Sequence, residues 1–242
     1  LDPIFLYFLA GGLAGGFLCG LSGFGAGLVT LPIVLFVASP LLAAQLAALA
    51  GIASQIQAIS ALRYGLHWRQ LLPIVLAGVV GIAIALWLIP PLPIDLFKFG
   101  VGCILIAYSL FALALPENWR FTKRHPIGNL VAGLLGGMAG GIAGIPGPPV
   151  IMWAAVQSWS ATEKRTLIQV FNLVTLSAML IISAAQDRLD PAFAWTAPTM
   201  LPATIAGAIL GVAAFRRLND RRYQQLVIVL LLIAGITMVI PT

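Results

Sequence analysis

Residues 140–149 read GGIAGIPGPP, four glycines and three prolines in ten positions of an otherwise apolar chain. Glycine and proline are the poorest helix formers, yet they stand where an apolar run of helical length would otherwise continue. A second cluster, LSGFGAG at 21–27, interrupts the first apolar run in the same way. How these two breaks are read decides the architecture.

Working outward, 61% of the 242 residues are hydrophobic and 8% are charged, with a mean hydropathy of +1.05. That composition cannot cover a soluble domain with polar surface. Apolar runs of about 20 residues, enough to span a hydrocarbon core, recur near 4–37, 41–62, 69–89, 95–115, 127–157, 162–185, 192–215 and 220–240. The expected class is an all-α polytopic membrane protein. The first run is too long for a signal peptide and is expected to be retained. The +6 net charge sits in short loops between spans, which points to membrane topology and not to nucleic acid. Cys19 and Cys103 fall in apolar runs and His67 and His125 in loops, so no disulfide framework, metal set or cofactor is expected.

Segments 4–37 and 127–157 are too long for one straight crossing, since 34 residues at about 1.5 Å each reach roughly 51 Å. They open the two halves of the chain, 1–115 and 127–242, on either side of a basic linker at 116–126 expected to be cytoplasmic. A shift of 121 positions lays Gly16, Gly20 and Gly23 over Gly137, Gly141 and Gly144, and Ser54 over Thr175. With small insertions Pro73 and Gly78 match Pro202 and Gly207, and Asp95 matches Asp220. An internal repeat is expected.

Lysine and arginine placement sets its sense. If each long segment enters the membrane and returns, every lysine and arginine except Lys98 and Arg188 falls on one side, the bias of a cytoplasmic face. Each half then contributes one hairpin and three crossings, so the second half is inverted relative to the first. Both termini are expected outside. The hairpins, 4–37 and 127–157, are expected to re-enter, with glycine tips meeting near the midplane; two short full crossings fit the same charge count.

Irregular backbone at membrane depth must be buried in protein or line a wet cavity. Broken helices of inverted-repeat transporters aim their positive N-termini at anionic groups. Ser22, Gly23, Phe24, Gly25, Ala26 and Gly27 can present N–H donors in the first break, and Gly144, Ile145 and Gly147 in the second, where Pro148 and Pro149 suit a helix start. The competing reading is that the glycines only let helices approach closely.

The glycine-rich openings of the two halves, GGFLCGLSGFGAGLVTLP and GLLGGMAGGIAGIPGPPV, together with RYGLHWRQLLP at 63–73, resemble the sulfite exporter TauE/SafE family, also called the toluene-sulfonate uptake permease group. The resemblance covers nearly the whole chain. It implies transport of sulfite, sulfonates or related sulfur-containing anions, in either direction.

Neutral side chains on two spans fit such an anion. Ser54 and Gln57 lie on 41–62, and Gln169, Asn172 and Thr175 lie at spacing three on 162–185. Sulfite and sulfonate oxygens accept hydrogen bonds from such groups, although interhelical packing explains them as well. Arg63 and Arg165, at cytoplasmic helix ends, can draw an anion into an inner vestibule or simply anchor the topology. All seven acids lie at segment ends or in loops, leaving no midplane carboxylate as a proton relay.

The expected function is a secondary transporter or facilitator of small sulfur-containing anions, such as sulfite or sulfoacetate, in a bacterial-type inner membrane. The alternative is an anion channel using the same tips as a filter. No nucleophile–base pair or phosphate loop argues for an enzyme. Expected partners are a small anionic substrate and membrane lipid, with no nucleic acid and a homo-oligomer left open.

Overall fold

The computed structural model describes residues 3–56, 68–88, 93–114 and 126–215, with eight further positions between 228 and 239. The linker at 116–125, residues 57–67 and most of the expected helix at 220–240 lie outside the described residues. The described elements are α-helices in the order α1 (Pro3–Ser22), α2 (Ala26–Val34), α3 (Pro40–Ile56), α4 (Trp68–Leu88), α5 (Ile94–Ala114), α6 (Pro126–Ala143), α7 (Gly147–Ala155), α8 (Ala161–Ala185) and α9 (Phe193–Phe215). Five of them, α1, α5, α6, α8 and α9, are long and apolar enough to cross a membrane, and the chain is a multi-pass membrane protein. Exposed side chains such as Leu76, Trp87, Ile127 and Ile181 are the expected lipid-facing surface.

Each long apolar segment becomes a long helix followed by a short one. The interruptions are narrower than the glycine-rich stretches, only residues 23–25 and 144–146. Gly23, Gly25 and Gly144 take φ of +79°, +89° and +67°, the left-handed region that side chains avoid. That requirement, more than helix propensity, explains glycine at these three positions. The nine residues of α2 and of α7 reach only about 14 Å, too short to cross. The 20 residues of α1 and 18 of α6 are by contrast each long and apolar enough to cross.

Each short helix is tied back to its long one. Thr30 on α2 donates through Oγ1 to Gly11 O on α1 at 2.9 Å, and Trp153 Nε1 on α7 donates to Asn129 Oδ1 on α6 at 2.8 Å. The start of α8 is fixed by a capping box, with the Ser160 hydroxyl accepting from Glu163 N–H and the Glu163 carboxylate accepting from Ser160 N–H.

The helices packed most extensively come from opposite halves. α1 lies against α9, and α6 against α4. Both pairs run parallel, since contact positions rise together along the two chains. A Cβ on Gly16 would strike Thr204 O, and one on Gly20 would strike Ala208 O; likewise Gly133 faces Ile74 O and Gly137 faces Gly78 O. Glycine here lets two backbones touch, the usual route to tight packing where lipid supplies no hydrophobic drive. α3 lies at the centre, with residues 42–48 all buried, against α2, α8, α9, α1 and α6.

One loop is stitched to this centre. Buried Gln45 on α3 donates through Nε2 to Arg188 O at 2.9 Å and accepts from Asp190 N–H at 3.0 Å. Ser39 donates to Asp190 Oδ2 at 2.9 Å, and the Arg188 guanidinium donates to Leu86 O at the end of α4.

Candidate functional site

The two breaks meet. A Cβ on Gly27 would stand 2.8 Å from Gly144 O and 3.0 Å from Ile145 Cγ2. Between the tips lies a cavity lined by residues 24–28 and 144–148, Ile151, and Gly51, Gln55, Asn172 and Leu176 of α3 and α8. Its volume, swept by the centre of a water-sized sphere, is about 20 Å³, room for little more than one water. The N-terminal ends of α2 and α7 both open onto it.

The lining has an internal register. Phe24 and Ile145, Gly25 and Pro146, Ala26 and Gly147, Gly27 and Pro148 stand 121 positions apart, as do Gly51 and Asn172, and Gln55 and Leu176. Both halves supply the same places but different chemistry. α3 contributes an amide at the second of its two positions, and α8 at the first.

Several backbone donors expected in the breaks are already used. Gly23 N–H donates to Cys19 O at 2.6 Å, Gly144 N–H to Gly140 O at 2.8 Å, and Phe24 N–H to the Ser22 hydroxyl at 3.2 Å. The Ser22 hydroxyl in turn lies 2.7 Å from Leu18 O and 2.5 Å from Phe24 O, so it is tied up within the tip. Among the described residues, the N–H groups of Gly25, Gly27, Ile145 and Gly147 take no part in the turn and cap hydrogen bonds, as expected at unpaired helix starts. Ala26 N–H faces the buried Cys19 thiol.

The hydroxyls singled out by the repeat also turn inward. Ser54 donates to Ala50 O at 2.7 Å and Thr175 to Phe171 O at 2.6 Å, each within its own helix. Neither lines the cavity. The amides behave differently. Asn172 Oδ1 and Gln55 Oε1 are buried without a partner among the described residues, in side chains 5% and 2% exposed. Gln55 Nε2 reaches Gly23 O at 3.3 Å. Gln55 is the residue that sequence reasoning missed, one step from Ser54 and therefore about 100° around the helix. Its counterpart is Leu176, so chemical likeness between the halves could not reveal it. Applying the 121-residue shift to Asn172, which lands on Gly51 and its face of α3, would have.

Beside the first tip stand two more polar groups. Arg165 Nε and Gln169 Nε2 lie 3.0 and 3.1 Å from where a Gly23 Cβ would be, and Gln169 Nε2 is buried without a partner among the described residues. At the equivalent places on the second tip are Ala44, whose carbonyl a Gly144 Cβ would strike, and Ala48. One approach is polar and cationic; the other is closed by backbone. Gln57 and Arg63 lie outside the described residues.

Among known proteins, a family model described as Sulfite exporter TauE/SafE matches residues 7–238, nearly the whole chain. No curated protein and no solved structure matches.

Proposed function

Because the chain belongs to the sulfite exporter TauE/SafE family of membrane transporters, we propose that it is a secondary transporter or facilitator carrying sulfite and small sulfonates across a bacterial-type inner membrane. The anion binds between the two helix breaks. Gly25, Gly27, Ile145 and Gly147 offer backbone N–H groups, and Gln55 and Asn172 offer side-chain amides. Ser22, Gly23, Phe24, Gly144, Ser54 and Thr175 shape this site from behind or beside it.

The observation that carries the reading is convergence. Two short-helix N-termini and two buried amides lacking a full set of partners share one cavity. The atoms unpaired among the described residues, Gln55 Oε1 and Asn172 Oδ1, are acceptors that suit an O–H on the ligand or a bridging water, while the backbone N–H groups of the two helix starts take its oxygens. The inverted repeat we propose is supported by the 121-residue register of the lining and by the matched crossings of α1 with α9 and α6 with α4. In that topology the Arg165 and Gln169 approach faces the cytoplasm, the termini lie outside, and an anion is collected from within for export. An inside-negative potential drives an anion outward by about 2.3 kcal/mol per charge per 100 mV, so no coupling ion is required. The contracted cavity favours a carrier over a filter pore.

Gly27→Leu tests the site. It wedges a side chain between the tips at their closest approach. Purified variant in sealed liposomes is expected to retain wild-type helix content and lose saturable sulfite flux. Wild-type flux from the folded variant would show that the anion passes elsewhere.

A further inference from the structure

The cavity that would hold the anion has no charged side chain among its described lining residues. Its fixed positive charge comes from two helix N-termini, α2 and α7. Each contributes at most about half an elementary charge, so together they offset about one negative charge. Arg165 stands at the mouth beside Gly23 and is exposed, which suits it to attract anions but leaves its charge outside the lining.

From this balance we infer that the site selects by charge state: it accepts singly charged sulfur oxyanions, hydrogensulfite and sulfonate monoanions, and rejects the dianions sulfite and sulfate. The inference rests on the transport site proposed above. The cost of removing an ion from water grows with the square of its charge, so a dianion loses about four times the hydration energy of a monoanion of the same size. The described lining of the cavity holds no second unit of positive charge to offset it.

The amides point the same way. Asn172 Oδ1 and Gln55 Oε1 are buried acceptors without partners among the described residues, and a carboxamide presents a donor on one side and an acceptor on the other. Hydrogensulfite matches both, with oxygens that accept and one O–H that donates. Sulfonates and dianions alike have only acceptors, so the amides favour hydrogensulfite over both, and the charge balance is what separates sulfonate monoanions from dianions.

The experiment uses the full-length protein in sealed liposomes, with flux followed against pH for sulfite, sulfate and methanesulfonate, and protein-free vesicles subtracted for passive leak. Sulfite exchanges its last proton near neutral pH. Methanesulfonate is a monoanion throughout and sulfate a dianion. The expected result is methanesulfonate flux flat with pH, no sulfate flux, and sulfite flux that follows the hydrogensulfite fraction, falling about tenfold per pH unit above the ionisation. Sulfite flux that holds steady or rises with pH while methanesulfonate stays flat would overturn the charge selection, as would saturable sulfate transport, and either would leave the transporter reading intact. Absence of flux for all three would overturn the transporter reading itself and this inference with it.

Discussion

Asn172 holds a buried oxygen unpaired among the described residues, on a helix whose neighbouring hydroxyl, Thr175, bonds to its own backbone. The two residues therefore carry opposite expectations. Asn172→Leu should raise thermal stability by about 1 kcal/mol, because an unsatisfied buried group disappears, while lowering sulfite flux about tenfold or more through loss of a hydrogen bond to a charged ligand. Ser54→Ala and Thr175→Val should leave flux near wild type. Melting curves in detergent beside liposome flux check the pair, and a flux defect in Thr175→Val with Asn172→Leu unaffected would reverse the assignment. The tips were legible from glycine and proline content, because positive φ and helix starts leave a compositional trace. The amide at Gln55 was not, because a one-residue step on a helix changes the face without changing the composition.

At the scale of elements, glycines that look alike in sequence do different things. A Cβ on Gly137 would enter the Gly78 backbone, whereas one on Gly100 meets nothing within 4 Å among the described residues. Gly137→Ala should destabilise by about 1–3 kcal/mol through overpacking at the crossing of α6 and α4, and Gly100→Ala should stabilise α5 by up to about 1 kcal/mol. Thermal unfolding of the two variants in detergent separates them. Gln45 is a second element-level test. Gln45→Leu leaves Arg188 O and Asp190 N–H without their partner and is expected to cost about 1–3 kcal/mol. Helix positions could be read from apolar runs, but the partners of α1 and α6 could not. In lipid every face is apolar, so hydropathy says where a helix is and nothing about what it touches.

For the whole molecule, the proposed inverted topology fixes which loops face which side. With Cys103, which is exposed, first replaced by serine, Lys98→Cys and Arg188→Cys should react with an impermeant thiol reagent from outside. Arg120→Cys and Arg217→Cys should react only after the inner face is opened. Labelling of all four from one side would remove the inversion. The exchange of partners between halves also bears on biogenesis. α1 leaves the ribosome early, but the helix it packs against most, α9, ends at residue 215. At roughly 5–20 residues per second, α1 waits on the order of 10–40 s in the bilayer with its glycine face uncovered. α6, by contrast, emerges to find α4 already made. The later half of the chain can thus close on α4 as it appears, while α1 must be held, by lipid or by an insertion chaperone, until α9 has been made.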